Sequence, residues 1–149
     1  MASVDAGRRR IELRVGGAAG HAVLWDELAP KTVAALIEAM PIEAPLLHCK
    51  WSGRAVFASV TLPQLGGLES PVTSIYPGTL VLRPAEAAGS AAELLISYGD
   101  AEFRWPDGRR YVTPFAEIEP GSEALLAAMA RTGEDGKTTL RLTLAEEMK

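Results

Sequence analysis

His48 and Cys49 are neighbours, and by residue type they are the pair in this chain best suited to metal binding or nucleophilic chemistry. Leu46 to Trp51 reads as a strand, however, and successive strand side chains point to opposite faces. The two cannot then ligate one metal ion. With His21 the only other histidine, a four-ligand zinc set is not filled. A Cys–His nucleophile pair fails on the same geometry, so both residues read as packing. Gly16-Gly17 and Gly66-Gly67 lack the strand–loop–helix context of a phosphate cradle and read as turns. Glu119, Glu123, Glu146 and Glu147 fall near helix ends or in the tail, where solvated charge is the ordinary reading. Met40 and Met129, at helical spacing, read as core.

Two strand arginines, Arg54 and Arg104, offer more. The default is a solvated arginine on an outer face. Beside Trp51 or Trp105 either would instead line a groove, where a planar donor fork suits carboxylates and peptide carbonyls. Trp105 precedes Pro106-Asp107-Gly108, a tight-turn sequence with proline at its second position. That puts the ring at a hairpin tip or barrel rim, with Arg110 just across the turn. An amphipathic ring at a rim favours binding, and the adjacent cation favours an acidic or carboxylate-bearing partner.

The elements that must position these groups are mostly strands. One helix stands out over Leu28 to Pro41: Val33, Leu36, Ile37 and Met40 recur at i, i+3, i+4 and i+7. Pro30 suits its first turn, Asp26 and Glu27 lie near its positive end, and Pro41 stops it. Arg10 to Val15 and His21 to Asp26 read as a hairpin, and Leu46 to Trp51 with Arg54 to Val60 as another around Ser52-Gly53. Leu62 to Gly78 reads as a long loop, a kind often functional. Thr79 to Arg83, Glu93 to Tyr98, Ala101 to Trp105 and Arg110 to Ile118 follow as strands, with Pro114 implying an edge or a bulge. A second helix starts after Ser122, a plausible N-cap, and is expected to end at Gly133. Thr138 to Leu144 closes the series with Leu140, Leu142 and Leu144 inward. About eight antiparallel strands need an edge solution, and a barrel with its ends covered by the two helices is the simplest.

Composition narrows the classes further. At 149 residues, with 48% hydrophobic and 23% charged residues, the chain reads as one globular domain able to bury a core without a staple. The expected division is a solvated basic arm over 1–9, a barrel domain over 10–145 and a tail over 146–149. A net charge of −4, with Arg8-Arg9-Arg10 the tight basic run, argues against nucleic acid. One cysteine and no signal-like or membrane-spanning apolar run make a cytoplasmic location the expectation.

Several segments, in order, resemble the cyclophilin family. Ala29-Pro30-Lys31-Thr32 is similar to its first-helix signature, and Pro77-Gly78-Thr79-Leu80-Val81-Leu82 to its Gly-x-Leu strand. Leu94-Leu95-Ile96 and Trp105-Pro106-Asp107-Gly108-Arg109-Arg110-Tyr111-Val112 resemble the strand and Trp-x-Asp-Gly loop that follow. Ala128 to Gly133, Gly136-Lys137-Thr138 and Leu142-Thr143 are similar to the last helix and strand. The resemblance runs from about residue 10 to about residue 145. It implies a mainly β fold: a single closed eight-stranded antiparallel barrel capped by two α-helices. A narrower likeness, to small bacterial cyclophilin-like proteins of unassigned function, rests on Pro30, Trp51-Ser52-Gly53, Tyr76-Pro77-Gly78 and Tyr98-Gly99.

Cyclophilins are peptidyl-prolyl isomerases, which lower a barrier of ~18–20 kcal/mol to rotation about a peptide bond. They use an apolar proline pocket and an arginine donor that engages the twisted amide, without a covalent step. By position, Trp105 matches the groove tryptophan, Arg110 stands at a histidine and Leu95 at the pocket phenylalanine. The Phe-His-Arg-Ile-Ile-Pro-Gly-Phe segment is absent. Its counterparts are Trp51-Ser52-Gly53-Arg54 and Gln64-Leu65-Gly66-Gly67, with a longer spacing from Arg54 to Gln64. The expectation is a ligand- or peptide-binding groove lined by Trp51, Arg54, Gln64, Leu95, Trp105 and Arg110, with no metal and no cofactor. An active isomerase using Arg54 and Gln64 in a remodelled pocket is the alternative, and a structural or self-associating module a third class. Arg54 and Gln64 facing one pocket would favour the isomerase; their divergence would favour binding alone.

Overall fold

The computed structural model describes residues 8–50, 52–87, 89–105 and 108–145, without the side chains of Arg104, Trp105 and Arg109. Trp51, the Pro106-Asp107 turn, Glu146 and Glu147, and all but Arg8 and Arg9 of the expected arm lie outside the described residues. The alternation of Ile11, Leu13 and Val15 forms β1 (Arg10–Val15), which turns at Gly16-Gly17 into β2 (Ala18–Leu24). β2 starts earlier than the sequence suggests because Ala18 pairs with Val15 directly across the turn. β3 (Ile42–His48) and β4 (Gly53–Val60) follow the first helix. The long loop then holds the two-residue β5 (Ser74–Ile75) before β6 (Thr79–Arg83) and β7 (Ala92–Glu102). A two-stranded ribbon, β8 (Arg104–Trp105) with β9 (Gly108–Arg109), leads to β10 (Thr113–Ile118), and β11 (Thr138–Leu144) ends the fold. The ring order is β3, β11, β1, β2, β10, β6, β7 and β4, which pairs back with β3, so eight antiparallel strands close a barrel. β5 lies outside it, against β7.

Inward residues of every barrel strand share one core with the helices. In α1 (Pro30–Ala39), Val33 and Leu36 are fully buried, and Ile37 and Met40 pack at its margin. Met40 turns to extended backbone and the Met40–Pro41 bond is cis. Pro114 lies at the expected irregularity: Pro114 pairs with Val81 and Ala116 with Leu80, leaving Phe115 as the extra residue. The bulge turns Phe115 wholly into the core, as such insertions re-aim side chains.

Two readings of the last third need correction. α2 (Glu123–Asp135) does not stop at Gly133 but at Gly136 (φ 85°). Gly133 lies inside the helix facing the His48 ring, where a β-carbon would make ordinary contact at 3.4 Å. Ser122 holds the N-cap position of α2 without a side-chain cap bond. Leu144, expected inward, is 46% exposed although it pairs with Ile11 as the last residue of β11.

A second apolar cluster lies on the other face of β4, β6 and β7. Ala55, Val81 and Leu95 point away from the barrel interior and pack with Cys49, Phe103 and Val112. These strands are therefore buried on both faces, which suits the unbroken run Leu94-Leu95-Ile96. The basic run at the start makes surface ion pairs: Arg8 pairs with Glu27, Arg9 with Asp26 and Arg10 with Glu119, and all three side chains stay partly exposed. Asp26 and Glu27 thus serve the arginines rather than α1.

Candidate functional site

Three segments meet around a cleft of about 660 Å³ on the outside of the barrel. The loop after β4 supplies Gln64, Gly66, Gly67 and Leu68. The end of β6 supplies Arg83 and the following Pro84, Ala85 and Glu86, and the segment after β9 supplies Arg110 and Tyr111. Leu62, buried at the loop's start, roots the first wall in the core. Val72 and Val112 exchange backbone hydrogen bonds at 3.0 and 2.9 Å, tying the loop's far end to the third segment. Arg83 donates from Nε to Glu93, its cross-strand partner on β7, at 2.8 Å, and Glu86 lies 3.9 Å from its Nη1. Tyr111 is 60% exposed, and Leu68, Pro84 and Ala85 add apolar surface.

The first wall is held from an unexpected direction. Glu69 reaches the amino end of α1, where Ala29 makes no side-chain cap. Its Oε1 accepts from the Thr32 backbone N–H at 2.8 Å and the Thr32 hydroxyl at 2.9 Å, and Oε2 accepts from the Lys31 N–H at 3.2 Å. A carboxylate is well placed there, on orphan N–H groups at the positive end of the helix. Burial alone would raise its pKa, but the Thr32 and Lys31 N–H bonds, the Thr32 hydroxyl and the Lys31 charge outweigh it. The Glu69 carboxyl is held below the usual carboxylate range. Next to it, the Ser70 hydroxyl donates to the Leu28 carbonyl at 2.8 Å.

Of the residues expected in the groove, Gln64 and Arg110 share this cleft. Arg54 does not. It is exposed on β4, and its stem lies across Gly99, where an added β-carbon would meet Arg54 Cβ at 2.8 Å. Two further features set this crossing apart: Gly53 (φ 101°) and a register shift, in which the β4 step from Gly53 to Ala55 spans Ala101 to Ser97 on β7. Leu95 is 1% exposed, packed within the second cluster, and is not among the residues that line this cleft. The backbone of Trp105 lies in the β8–β9 ribbon. His48 and Cys49 point to opposite sides as expected: Cys49 joins the second cluster, and His48 Nε2 meets the Tyr98 hydroxyl at 2.5 Å. Burial first, and the charge of Lys50 second, hold the His48 pKa below its ordinary value, while burial raises the Cys49 thiol.

Sequence reasoning missed Arg83, Glu86, Leu68 and Tyr111 as cleft residues. A signal existed for Arg83, because Arg83 and Glu93 bracket a small-residue connection at matching strand ends. Among the described residues no group of three His, Cys, Asp or Glu could hold a metal ion, and no helix is long and apolar enough to cross a membrane. The cleft combines the guanidinium groups of Arg83 and Arg110, a side-chain amide and a phenol with the Glu86 carboxylate and apolar surface, and Arg83 is engaged by Glu93 and lies beside Glu86.

A family of proteins of unknown function, DUF3830, matches residues 11–144. The chain belongs to that family. Comparison with curated proteins gives no match. Among solved structures, McbB in complex with tryptophan is similar over 93% of this chain at a TM-score of 0.66 and 14% identity. This chain spans 46% of that one. A hypothetical protein from Archaeoglobus fulgidus is similar over 93% of this chain and 95% of its own, with TM-score 0.54 and 20% identity. A cyclophilin-type peptidyl-prolyl cis-trans isomerase from Cryptosporidium parvum is similar over 95% and 99%, with TM-score 0.55 and 9% identity. These likenesses establish a cyclophilin-like fold for this DUF3830 chain.

Proposed function

We propose that this chain is a binding module whose outer cleft takes a small molecule or peptide segment bearing a carboxylate. The observation that carries the reading is the convergence of Gln64 and Arg110, two positions matched to the isomerase groove, on one cleft with Arg83, while Arg54 lies apart over Gly99. Guanidinium forks bind carboxylates through paired, charge-assisted hydrogen bonds, and Leu68, Pro84 and Tyr111 supply a surface for an apolar body. Tryptophan, the molecule complexed with McbB, has that chemistry and is a natural first probe.

The same geometry counts against an active isomerase. A missing transition-state donor costs on the order of 10²–10³ in rate, and the position of the family's pocket phenylalanine is filled by the chain's own packed core at Leu95. Turnover of Ala-Xaa-Pro peptides is therefore expected at least ~100-fold below that of a cyclophilin.

Two-dimensional NMR of the full chain, titrated with L-tryptophan and with 3-phenylpropionate, tests the binding reading. Shifts should cluster on Gln64 to Leu68, Arg83 to Glu86 and Tyr111. Arg110→Ala should weaken binding about tenfold, the equivalent of one charge-assisted hydrogen bond, with the melting temperature nearly unchanged. Shifts elsewhere, or no response to any carboxylate probe, would refute it.

A further inference from the structure

We infer that Glu69 is the positioning residue of the cleft, a clamp that fixes the wall from Gln64 to Leu68 by fastening it to the amino end of α1. This rests on the cleft being the ligand site proposed above. Between Leu62, rooted in the core, and Val72, bridged to Val112, the described hydrogen bonds that anchor the wall belong to Glu69 and Ser70. Glu69 contributes from both ends: its carboxylate takes Lys31 and Thr32, and its backbone N–H donates to the Thr113 hydroxyl at 2.9 Å. Thr113 begins β10, so the clamp joins the wall to the barrel and to the helix at one residue.

The backbone geometry agrees. Ser70 has φ 46°, a left-handed conformation uncommon outside glycine, and such conformations persist where surrounding contacts over-determine them. Gly66 (φ 79°) and Gly67 (φ 143°) lie immediately before the clamp, in open space. These residues adopt many backbone conformations with little penalty, so an external tie is what selects one. Removing the tie leaves the cleft with two fixed walls and one free. A ligand that holds the free wall must then also order it, and its affinity falls by that amount.

Limited chymotrypsin digestion of the full chain measures the wall directly, because Leu65 and Leu68 are cleavage sites within it. Cleavage of a transiently opened segment follows the population of its open form. Glu69→Ala should raise cleavage at these two leucines about tenfold under conditions where the barrel strands stay uncut. Glu69→Gln, which keeps an acceptor oxygen but loses the charge, should fall between. Thr32→Val, which removes a donor from the helix side, should raise cleavage in the same place and serves if Glu69→Ala fails to fold. In wild type and Glu69→Gln, the dissociation constant of 3-phenylpropionate should rise in step with cleavage. Unchanged cleavage at Leu65 and Leu68 in both Glu69→Gln and Thr32→Val would overturn the inference. Cleavage that rises at every site together would do the same, reducing Glu69 to a helix cap. Faster wall cleavage with no probe bound by the wild type would instead remove the ligand site and leave the mechanical tie standing.

Discussion

Shortening Leu95 to alanine decides whether that position is a wall of the core or of a groove. The side chain is 1% exposed and packs with Val81, Phe103 and Val112 on the outer face of β7. Removing it takes away the transfer free energy of a buried leucine and leaves a cavity, together about 2–5 kcal/mol. Domains of this kind are stable by roughly 5–15 kcal/mol, so the loss is a large fraction of the whole. For a chain of this length each kcal/mol moves the melting midpoint by about 2–4 °C, which predicts a fall of roughly 4–20 °C for Leu95→Ala. Urea unfolding should show the midpoint falling at constant slope, the mark of lost stability without a change in the unfolded state. Leu95→Phe, which introduces the aromatic of the resembled isomerases, should also destabilise, by about 1–3 kcal/mol, because it adds volume to a packed side chain that is 1% exposed. A Leu95→Ala cost below about 1 kcal/mol, or a neutral Leu95→Phe, would show the position open to solvent and return an apolar proline pocket to the groove.

Two further outcomes follow from described contacts. His48 has its Nδ1 buried with no partner among the described residues, and its pKa is lowered mainly by burial. Its stabilising contribution is therefore complete above the unfolded value of about 6.5 and lost as pH falls through the lower folded value. The urea midpoint should drop between pH 7.5 and 5 and flatten in His48→Phe, and an NMR titration placing His48 at or above its ordinary pKa would contradict this. Gly99→Ala forces a β-carbon against the stem of Arg54, so it should cost about 1–3 kcal/mol. Part of that should return when Arg54→Ala is added, and additive costs in that double-mutant cycle would show that the two residues do not meet.

How much of this was legible in the sequence depended on the range of the contacts. Strand alternation in Ile11, Leu13 and Val15, the apolar stripe of α1 and the bulge at Pro114 are set by neighbours within a turn or a strand pair, and the sequence carries them. The Glu69 cap joins residues 37 apart, and nothing local marks it. Asp26 and Glu27, which lie where a local rule expects helix partners, are drawn off by Arg9 and Arg8 instead. Gly133 is the converse: a local stop signal is passed over and the helix runs on to Gly136, whose φ of 85° is the left-handed conformation that suits a glycine cap. For the cleft, the resemblance singles out Gln64 and Arg110, which the fold brings to one lining. The burial of Leu95 is harder to read, because the second cluster that covers it is assembled from Cys49, Ala55, Phe103 and Val112, scattered along the chain. The unbroken apolar run through Leu94, Leu95 and Ile96 was the available sign of a strand covered on both sides.

The pairing of β1 with β11 has a consequence for how the domain can be carried. Ile11 lies opposite Leu144, and the Ala145 N–H donates to the Arg10 carbonyl at 2.9 Å, so the first and last strands of the barrel enter and leave it side by side. Antiparallel partners lie about 5 Å apart, a gap that a linker of a few residues spans. The order of the strands along the chain is therefore separable from their order around the ring. The domain could be circularly permuted, joined between Arg10 and Ala145 and reopened at the Gly16-Gly17 turn, with every barrel pairing still made by the same neighbours. Such a domain is also suited to insertion within a surface loop of another protein, because its two ends ask the host for little more separation than one strand spacing.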